Sequence, residues 1–185
     1  MNRQPTLQTQ RLLLRPFILS DAPQVQKLAG TWEIADMTLS LPYPYEDGMA
    51  EKWIKTHSPG FREGSQVIFA VVIHEINTLC GAIGLGINRE HSRAEIGYWI
   101  GKPYWGKGYC TEAAKEVLRY AFEDLGLNRI HSSHLSRNPA SGRVMQKIGM
   151  IYEGCHRQHV LKWNKFEDLE KYGILKTDWY RQSKS

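Results

Sequence analysis

The sequence predicts a single-domain α/β (α+β) fold, in which a mixed, mostly antiparallel central sheet is flanked by helices. Three observations predict it: consecutive apolar strand segments in mid-chain, two helices with clear start and end signals, and strands that alternate with those helices. An antiparallel meander followed by a crossover helix is typical of a mixed sheet. Because 185 residues are enough to bury one core, we expect one domain over 1–185.

The first half of the chain is predicted from strand patterns and turn residues. Leu12, Leu13 and Leu14 indicate an opening strand, and Ser20 with Asp21 would cap a short helix. In order, the predicted elements are a strand at 7–15, a helix through Leu28, a loop at 31–50, a helix around 47–56, and strands at 66–73, 79–87 and 93–100, with a hairpin turn at 75–78.

The second half contains the two clearest helices. Apolar residues recur at helical spacing over 109–125, and Gly126 follows as a terminator. The next helix begins with Asn138 as N-cap and Pro139 at its first position, and it ends before Gly149. The remaining predicted elements are a strand at 129–135 and a terminal hairpin formed by 150–160 and 166–177.

Composition limits the classes of function. The net charge of +5 favours anionic partners, but the basic residues are scattered, which argues against an extended nucleic-acid surface. The sequence has no apolar run of 18 residues and no hydrophobic signal segment in 1–10, so we expect a cytoplasmic protein without a membrane span. Three widely spaced cysteines make neither a disulfide framework nor a zinc motif.

A glycine-containing segment lies between a predicted strand and the long helix. Its residues are Trp105, Gly106, Lys107, Gly108, Tyr109, Cys110 and Thr111. Glycines that expose backbone N–H groups before a helix N-terminus can cradle a pyrophosphate. A tight turn is a second interpretation. The segment nearly matches the phosphate-binding loop of nucleoside triphosphate-binding proteins, but Gly108 stands where that loop needs Ser or Thr to hold Mg²⁺. Coenzyme A needs the same cradle without a metal, and the segment alone leaves these alternatives open.

The context of this segment resembles a known family. Residues 94–154, with AEIGYWI, WGKGYCTEA, NPASGRVMQKIGM and YEG in order, resemble the acetyl-CoA-binding core of the GNAT superfamily of N-acetyltransferases. The opening TQRLLLRP and the ending 168–179 are similar to its ribosomal-protein N-terminal (RimJ/RimL-type) branch. The resemblance implies that acetyl-CoA donates an acetyl group to a primary amine.

The resemblance also implies site residues. The cofactor-binding set is the strand residues Tyr98, Trp99 and Ile100, the whole segment Trp105–Thr111, and Asn138. The loop pattern departs from the superfamily at Trp105 and Cys110. Met145 stands where many members place the tyrosine that protonates the thiolate, and in the resembling branch a serine four residues earlier, here Ser141, takes that role. Ser141 could equally bond backbone in the first helical turn.

The sequence determines the residues that bind the acceptor amine less well than those that bind the cofactor. Glu95 is the candidate general base, with a solvated strand carboxylate as the alternative. Trp32, Tyr43 and Tyr45 are candidate substrate-binding residues, with packing as the alternative. We expect an α-amine, such as that of a ribosomal protein N-terminus, because at pH 7.4 roughly a quarter of it is neutral against about 0.1% of a lysine amine.

Other interpretations remain open. They are a small-molecule amine acceptor (a polyamine, amino sugar or antibiotic), a CoA-binding regulatory protein without turnover, and an RNA-binding protein. The pairs His131 with His134 and His156 with His159 invite a zinc interpretation. We expect no metal, because a spacing of three in a strand points two side chains to opposite faces. An exposed terminal hairpin could support a homodimer.

Overall fold

The computed structural model describes residues 3–182, so that both ends of the predicted 1–185 domain, at 1–2 and 183–185, lie outside the described residues. The described strands form one eight-stranded sheet in the order β1-β2-β3-β4-β5-β6-β8-β7, and only the β5–β6 pair is parallel. The strands are β1 Leu7–Gln8, β2 Leu12–Pro16, β3 Gln66–Ile73, β4 Thr78–Asn88, β5 Arg93–Ile100, β6 Arg129–Leu135, β7 Ile151–Lys162 and β8 Lys165–Leu175. The helices are α1 Ala22–Ala29, α2 Trp32–Met37, α3 Met49–Glu63, α4 Tyr109–Arg119, α5 Pro139–Lys147 and α6 Lys176–Gln182. The predicted fold class is confirmed.

Several elements differ from the sequence prediction, and the helix predicted around 47–56 extends to Glu63. The predicted opening strand is two short strands, because the chain turns between them at Thr9, whose amide donates to the Leu12 carbonyl. The predicted loop at 31–50 contains α2, and α6 follows β8 where a strand was expected to continue to Thr177. Both helices have only six or seven residues, too few to show a helical period. The long helix ends in a π-helical turn at Tyr120–Asp124.

Apolar side chains cover both faces of the central strands. Phe69, Ile83 and Ile96 face α4 and α5, whereas Ala82 and Trp99 face α1, α2 and α3. Successive strand residues point to opposite faces, so β3, β4 and β5 separate two apolar layers. Within the part of the chain that the structure describes, no helix is long and apolar enough to cross a membrane.

The sheet opens between β5 and β6. Parallel pairing joins Arg93–Glu95 to Arg129–His131 and then stops. The Ser132 hydroxyl donates to the Ile96 carbonyl at 2.8 Å, which fixes the point where the two strands part. Beyond this point lies the cavity that positions the site.

Candidate active site

The cavity has a volume of about 1100 Å³ and passes through the sheet at the β5–β6 opening. Its walls are the ends of β5 and β6, the loop before α4, the first turns of α5, and the segment from α2 to Leu41. The exposed cations Arg143 and Lys147 on α5 also line it. Sequence reasoning missed both, because scattered basic residues gave no signal. A cavity of this size with cations on one wall suits a phosphorylated ligand.

The loop from Trp105 to Thr111 has the geometry of an anion cradle. Gly106 and Gly108 have φ angles of 73° and 79°, which favour glycine, and Gly108 is the N-cap of α4. The first N–H groups of α4 have no acceptor within the helix and carry its partial positive charge. A Cβ built on Gly106 would meet nothing within 4 Å, so the space above the loop is open to a ligand. These residues fit the pyrophosphate of coenzyme A.

Two contacts hold this loop in place. The Trp105 indole Nε1 donates to the Ile100 carbonyl at 2.5 Å, which ties the loop to the end of β5. The Arg11 guanidinium donates to the Lys107 carbonyl at 3.0 Å and to Glu112 Oε2 at 2.7 Å. Sequence reasoning gave Arg11 no role in the loop, because about 100 residues separate it from its partners and no local pattern marks the contact.

Glu112, in the first turn of α4, is the centre of that contact. Its Oε1 accepts from the Thr9 hydroxyl at 2.6 Å and from the Arg11 backbone N–H at 2.9 Å. Burial raises the pKa of this carboxyl, but the hydrogen bonds from Thr9 and Arg11 outweigh burial and hold it below its usual value. Glu112 is therefore an anion that joins the β1–β2 turn to the cradle.

Ser141 lies in the first turn of α5 and lines the cavity. Its hydroxyl is 3.0 Å from the Tyr98 hydroxyl, which also donates to the Ser141 carbonyl at 3.1 Å. Burial raises the pKa of Tyr98 well above that of an ordinary phenol, so Tyr98 is neutral at physiological pH. The structure thus brings two predicted site residues, Tyr98 and Ser141, into one hydroxyl pair.

Asn138 uses both ends of its side-chain amide. Its Oδ1 accepts from the Ser141 backbone N–H at 3.3 Å, which is the predicted N-cap, and its Nδ2 donates to the Met37 carbonyl at 3.2 Å. Asn138 therefore caps α5 and joins it to α2. Both polar atoms of the side chain bond to protein groups. The predicted contact of Asn138 with coenzyme A, through its pantetheine arm, would therefore have to replace or share one of these bonds.

Glu95 is exposed on β5 and lines the cavity beside the point where β5 and β6 part. It pairs in register with His131 of β6. Burial lowers the pKa of His131, and the nearby charge of Glu95 acts in the opposite direction. Glu95 lies on the sheet face opposite to α4, because its neighbours Ala94 and Ile96 pack on the α4 side.

Cys110 lines the cavity one residue after the first residue of α4. Burial raises the pKa of its thiol above the usual range, as it raises that of Cys80 to about 12. Both groups are therefore thiols rather than thiolates at neutral pH. The side chain of Cys110 is small, as close approach of a ligand to the start of α4 would require.

The predicted acceptor residues are not in the cavity wall. Trp32 and Tyr43 pack edge to face at 5.1 Å, and Trp32 contacts Trp163 of the terminal hairpin at 5.1 Å, in an exposed aromatic cluster outside the cavity. Tyr45 is half-buried against the core near α1. The wall is formed instead by Met37 and the residues that follow it, which belong to the same predicted loop at 31–50.

Ion pairs and hydrogen bonds join α2 to Arg137, just before α5, and to the terminal hairpin. Arg137 donates to both carboxylate oxygens of Asp36, at 2.7 and 2.9 Å, and also to Glu167 at 3.1 Å. The Trp163 indole donates to Asp36 at 3.0 Å, and the buried Lys162 ammonium donates to the Thr38 carbonyl. Hydrogen bonds from Arg137 hold the pKa of Asp36 below its usual value. Sequence reasoning missed these contacts, because Asp36 and Thr38 are about 100 or more positions from Arg137, Lys162 and Trp163.

The histidine pairs do not form a metal site among residues 3–182, where no group of three or more metal-ligating side chains occurs. The predicted opposite orientation is wrong for His156 and His159, whose rings are in contact with centroids 5.0 Å apart. The strand is irregular there, because Gln158 has a φ of 50° and the register shifts between His156 and Val160. A period of two does not hold across such a bulge.

Sequence comparisons find related proteins. A family model described as the acetyltransferase (GNAT) domain matches residues 11–151. The uncharacterized N-acetyltransferase p20 of Bacillus licheniformis is 30% identical over 177 residues, which cover 94% of this chain and 98% of that protein. The ribosomal-protein-serine acetyltransferase of Escherichia coli K12 is 28% identical over 105 residues, or 56% of this chain and 59% of that protein.

Solved structures share the fold. A GNAT-family acetyltransferase from Bacillus anthracis superimposes with a TM-score of 0.84 at 26% identity, over 94% of this chain and 99% of that one. RimL, a ribosomal L7/L12 α-N-protein acetyltransferase solved in complex with coenzyme A, gives a TM-score of 0.84 at 18% identity, over 92% and 98% of the two chains. At that identity the second likeness concerns the fold alone.

Proposed function

Because the chain belongs to the GNAT acetyltransferase family, and so is an acetyl-CoA-dependent N-acetyltransferase, we propose that its acceptor is the α-amine of a peptide or protein N-terminus. A ribosomal protein is a candidate source of that N-terminus, since relatives with this activity by name cover more than half of the chain. Small-molecule amines are the competing acceptors.

The carboxylates of the cavity wall carry this proposal. Among the described residues, Glu33 and Glu95 are the acidic side chains that line the cavity, and Glu33 binds Lys102 at 2.5 Å. Asp36 nearby is neutralised by Arg137. A polyamine carries several positive charges and needs several free carboxylates, whereas a single amine needs one base. Glu95 alone matches the second case.

The protein's own groups can be assigned to the proton transfers. Bound acetyl-CoA supplies an activated acetyl thioester. Glu95 accepts a proton from the incoming ammonium, directly or through water, which an α-amine requires less than a lysine does. The Ser141 hydroxyl, oriented by Tyr98, donates a proton to the leaving sulfur.

A backbone donor is also available for developing negative charge. The Ile96 and Ile100 carbonyls both face away from β4, since they accept from Ser132 and Trp105. Peptide groups of alternate strand residues point to the same side. The Tyr98 N–H therefore points into the opening between β5 and β6, where it can stabilise charge on the acetyl oxygen.

The test is thiol release from acetyl-CoA with peptides of different N-termini, N-terminally blocked lysine peptides, polyamines and aminoglycosides. We expect release with free N-terminal peptides and little with blocked ones. Ser141→Ala and Glu95→Gln should each lower kcat about 10²-fold or more, the usual contribution of a general acid or base. Ser136→Ala is the matched control, since Ser136 is exposed and its hydroxyl donates to Glu170.

Each other outcome has a definite meaning. Turnover of polyamines or aminoglycosides but not peptides would reject the proposed acceptor and support a small-molecule enzyme. Unchanged kcat in Ser141→Ala would reject Ser141 as the acid. Tight acetyl-CoA binding without release for any amine would support a regulatory role.

A further inference from the structure

Glycines interrupt the two central strands of the sheet on one face. Gly84 and Gly86 of β4 and Gly97 of β5 all line the cavity, and they lie together because Gly84 pairs with Gly97 and Gly86 with Glu95. Glycine weakens a strand interior, and it often marks a site where another group approaches closely. Three glycines at the middle of an eight-stranded sheet therefore need a reason.

Packing within the protein explains Gly84 but not the other two. A Cβ built on Gly84 would lie 2.8 Å from the Val67 carbonyl oxygen, so the neighbouring strand requires a glycine there. A Cβ on Gly86 or Gly97 would meet nothing within 4 Å. Neither residue has a positive φ angle. The chain's own conformation and packing thus permit a side chain at both positions.

The open space lies on the acceptor side of the sheet. Gly86 and Gly97 share a face with Ala82 and Trp99, which pack toward α1, α2 and α3. The cradle at the start of α4 is on the opposite face, because α4 packs against Ile83 and Ile96. A donor held by the cradle reaches the opening from one side, so the space above the two glycines is left for the acceptor.

The surroundings of this space are partly apolar. Ile68 and Gln66 of β3 and Trp53 of α3 line the same cavity, and Glu95 is next to Gly86 across the strand pair.

An amine held at Glu95 would place the substituent on its neighbouring carbon over the glycines. We propose that Gly86 and Gly97 form the floor of a subsite for the first side chain of the acceptor, an uncharged side chain of the size of leucine or methionine. This subsite rests on the proposed peptide acceptor.

The kinetic test introduces side chains at Gly86 and Gly97, which would occupy the proposed subsite. Acetylation is measured for a peptide series that differs only in the first residue: glycine, alanine, serine, methionine and leucine. We expect Gly97→Val and Gly86→Val to lower kcat/KM for the leucine peptide at least about tenfold and for the glycine peptide less than about threefold. Gly97→Ala should give an intermediate loss. The acetyl-CoA dissociation constant should stay within about twofold, which shows that the cradle is intact. An equal loss for every peptide, or none, would overturn the subsite.

A second measurement does not depend on turnover. In ¹⁵N-labelled protein saturated with coenzyme A, leucinamide should shift the Gly86 and Gly97 amide resonances more than glycinamide does, with Gly126, at the end of the π-helical turn, as the reference. If wild type acetylates no peptide but these shifts occur, the proposed peptide acceptor fails, and the two glycines remain the floor of a site for the side chain of another amine. If peptides are acetylated and the two resonances do not move, the subsite fails alone.

Discussion

His57 is a buried polar residue whose chemistry the active site does not use. It is 5% exposed in α3, where its ring contacts the edges or faces of Trp53 and Phe17 at 4.4 and 5.3 Å. Among residues 3–182, neither of its ring nitrogens has a hydrogen-bond partner. Burial lowers the pKa of His57 from 6.5 to about 4, so the folded protein strongly favours the neutral ring.

The lowered pKa predicts an acid loss of stability. Between pH 6.5 and about 4 the unfolded chain binds a proton at this histidine while the folded protein does not. The free energy of unfolding therefore falls as the pH drops through this window. Below about pH 4 both states are protonated, so this histidine causes no further loss. The loss amounts to about 2–3 kcal/mol at pH 4.5. In urea unfolding between pH 7 and 4.5, His57→Phe should lose that much less than wild type. His91→Phe, at an exposed turn, is the control, and parallel losses in wild type and His57→Phe would contradict the assignment.

At the scale of elements, the β1–β2 turn supports the anion cradle. Arg11 reaches from this turn to the Lys107 carbonyl and to Glu112, and the Arg11 guanidinium also lies 4.9 Å above the Tyr109 ring. Glu112 accepts from Thr9 as well, so one carboxylate joins two segments far apart in the chain. The loop needs such support, because its two glycines are conformationally free.

Weakening this contact should affect donor binding rather than chemistry. Glu112→Gln keeps the shape of the side chain but removes its charge and one acceptor, at a cost of about 1 kcal/mol or somewhat more. We expect the acetyl-CoA dissociation constant, measured by calorimetry, to rise about five- to tenfold while kcat stays within about twofold. Glu116→Gln is the matched control, since Glu116 is one turn further along α4 and pairs with Arg119. A fall in kcat at unchanged affinity would show that Glu112 acts elsewhere.

Elements that the sequence predicted well carry their signal locally. β3, β5 and β6 have the expected bounds, since they are buried runs rich in apolar residues between turn signals. The cradle was predicted from glycines before an amphipathic helix. Helix α2 was not predicted, because it has six residues and its position depends on Asp36 binding Arg137 across the fold. For the same reason the Tyr98–Ser141 pair and the Arg11 contact became visible only in the structure.

At the scale of the whole molecule, one wall of the cavity, here called the acceptor wall because the proposed acceptor would bind against it, is assembled from three distant parts of the chain. Asp36 of α2 binds Arg137, which precedes α5, and both contact the terminal hairpin through Trp163 and Glu167. Asn138 adds a bond from the N-terminus of α5 to the Met37 carbonyl. These contacts close one side of the cavity, so the position of α2 depends on the tertiary structure around it.

Loss of the Asp36 charge should therefore loosen the acceptor wall and leave the donor site intact. In Asp36→Asn we expect the KM for the acceptor peptide to rise at least about fivefold, because a bidentate, partly buried ion pair is lost, while the acetyl-CoA dissociation constant stays within about twofold. Amide hydrogen exchange over 32–41 should become faster. Glu33→Gln is the control for exchange, since Glu33 lies in the same helix as Asp36 and the substitution breaks only its exposed ion pair with Lys102. Unchanged exchange and KM in Asp36→Asn would mean that packing around Ile34 and Ala35, and not the ion pair, holds this wall in place.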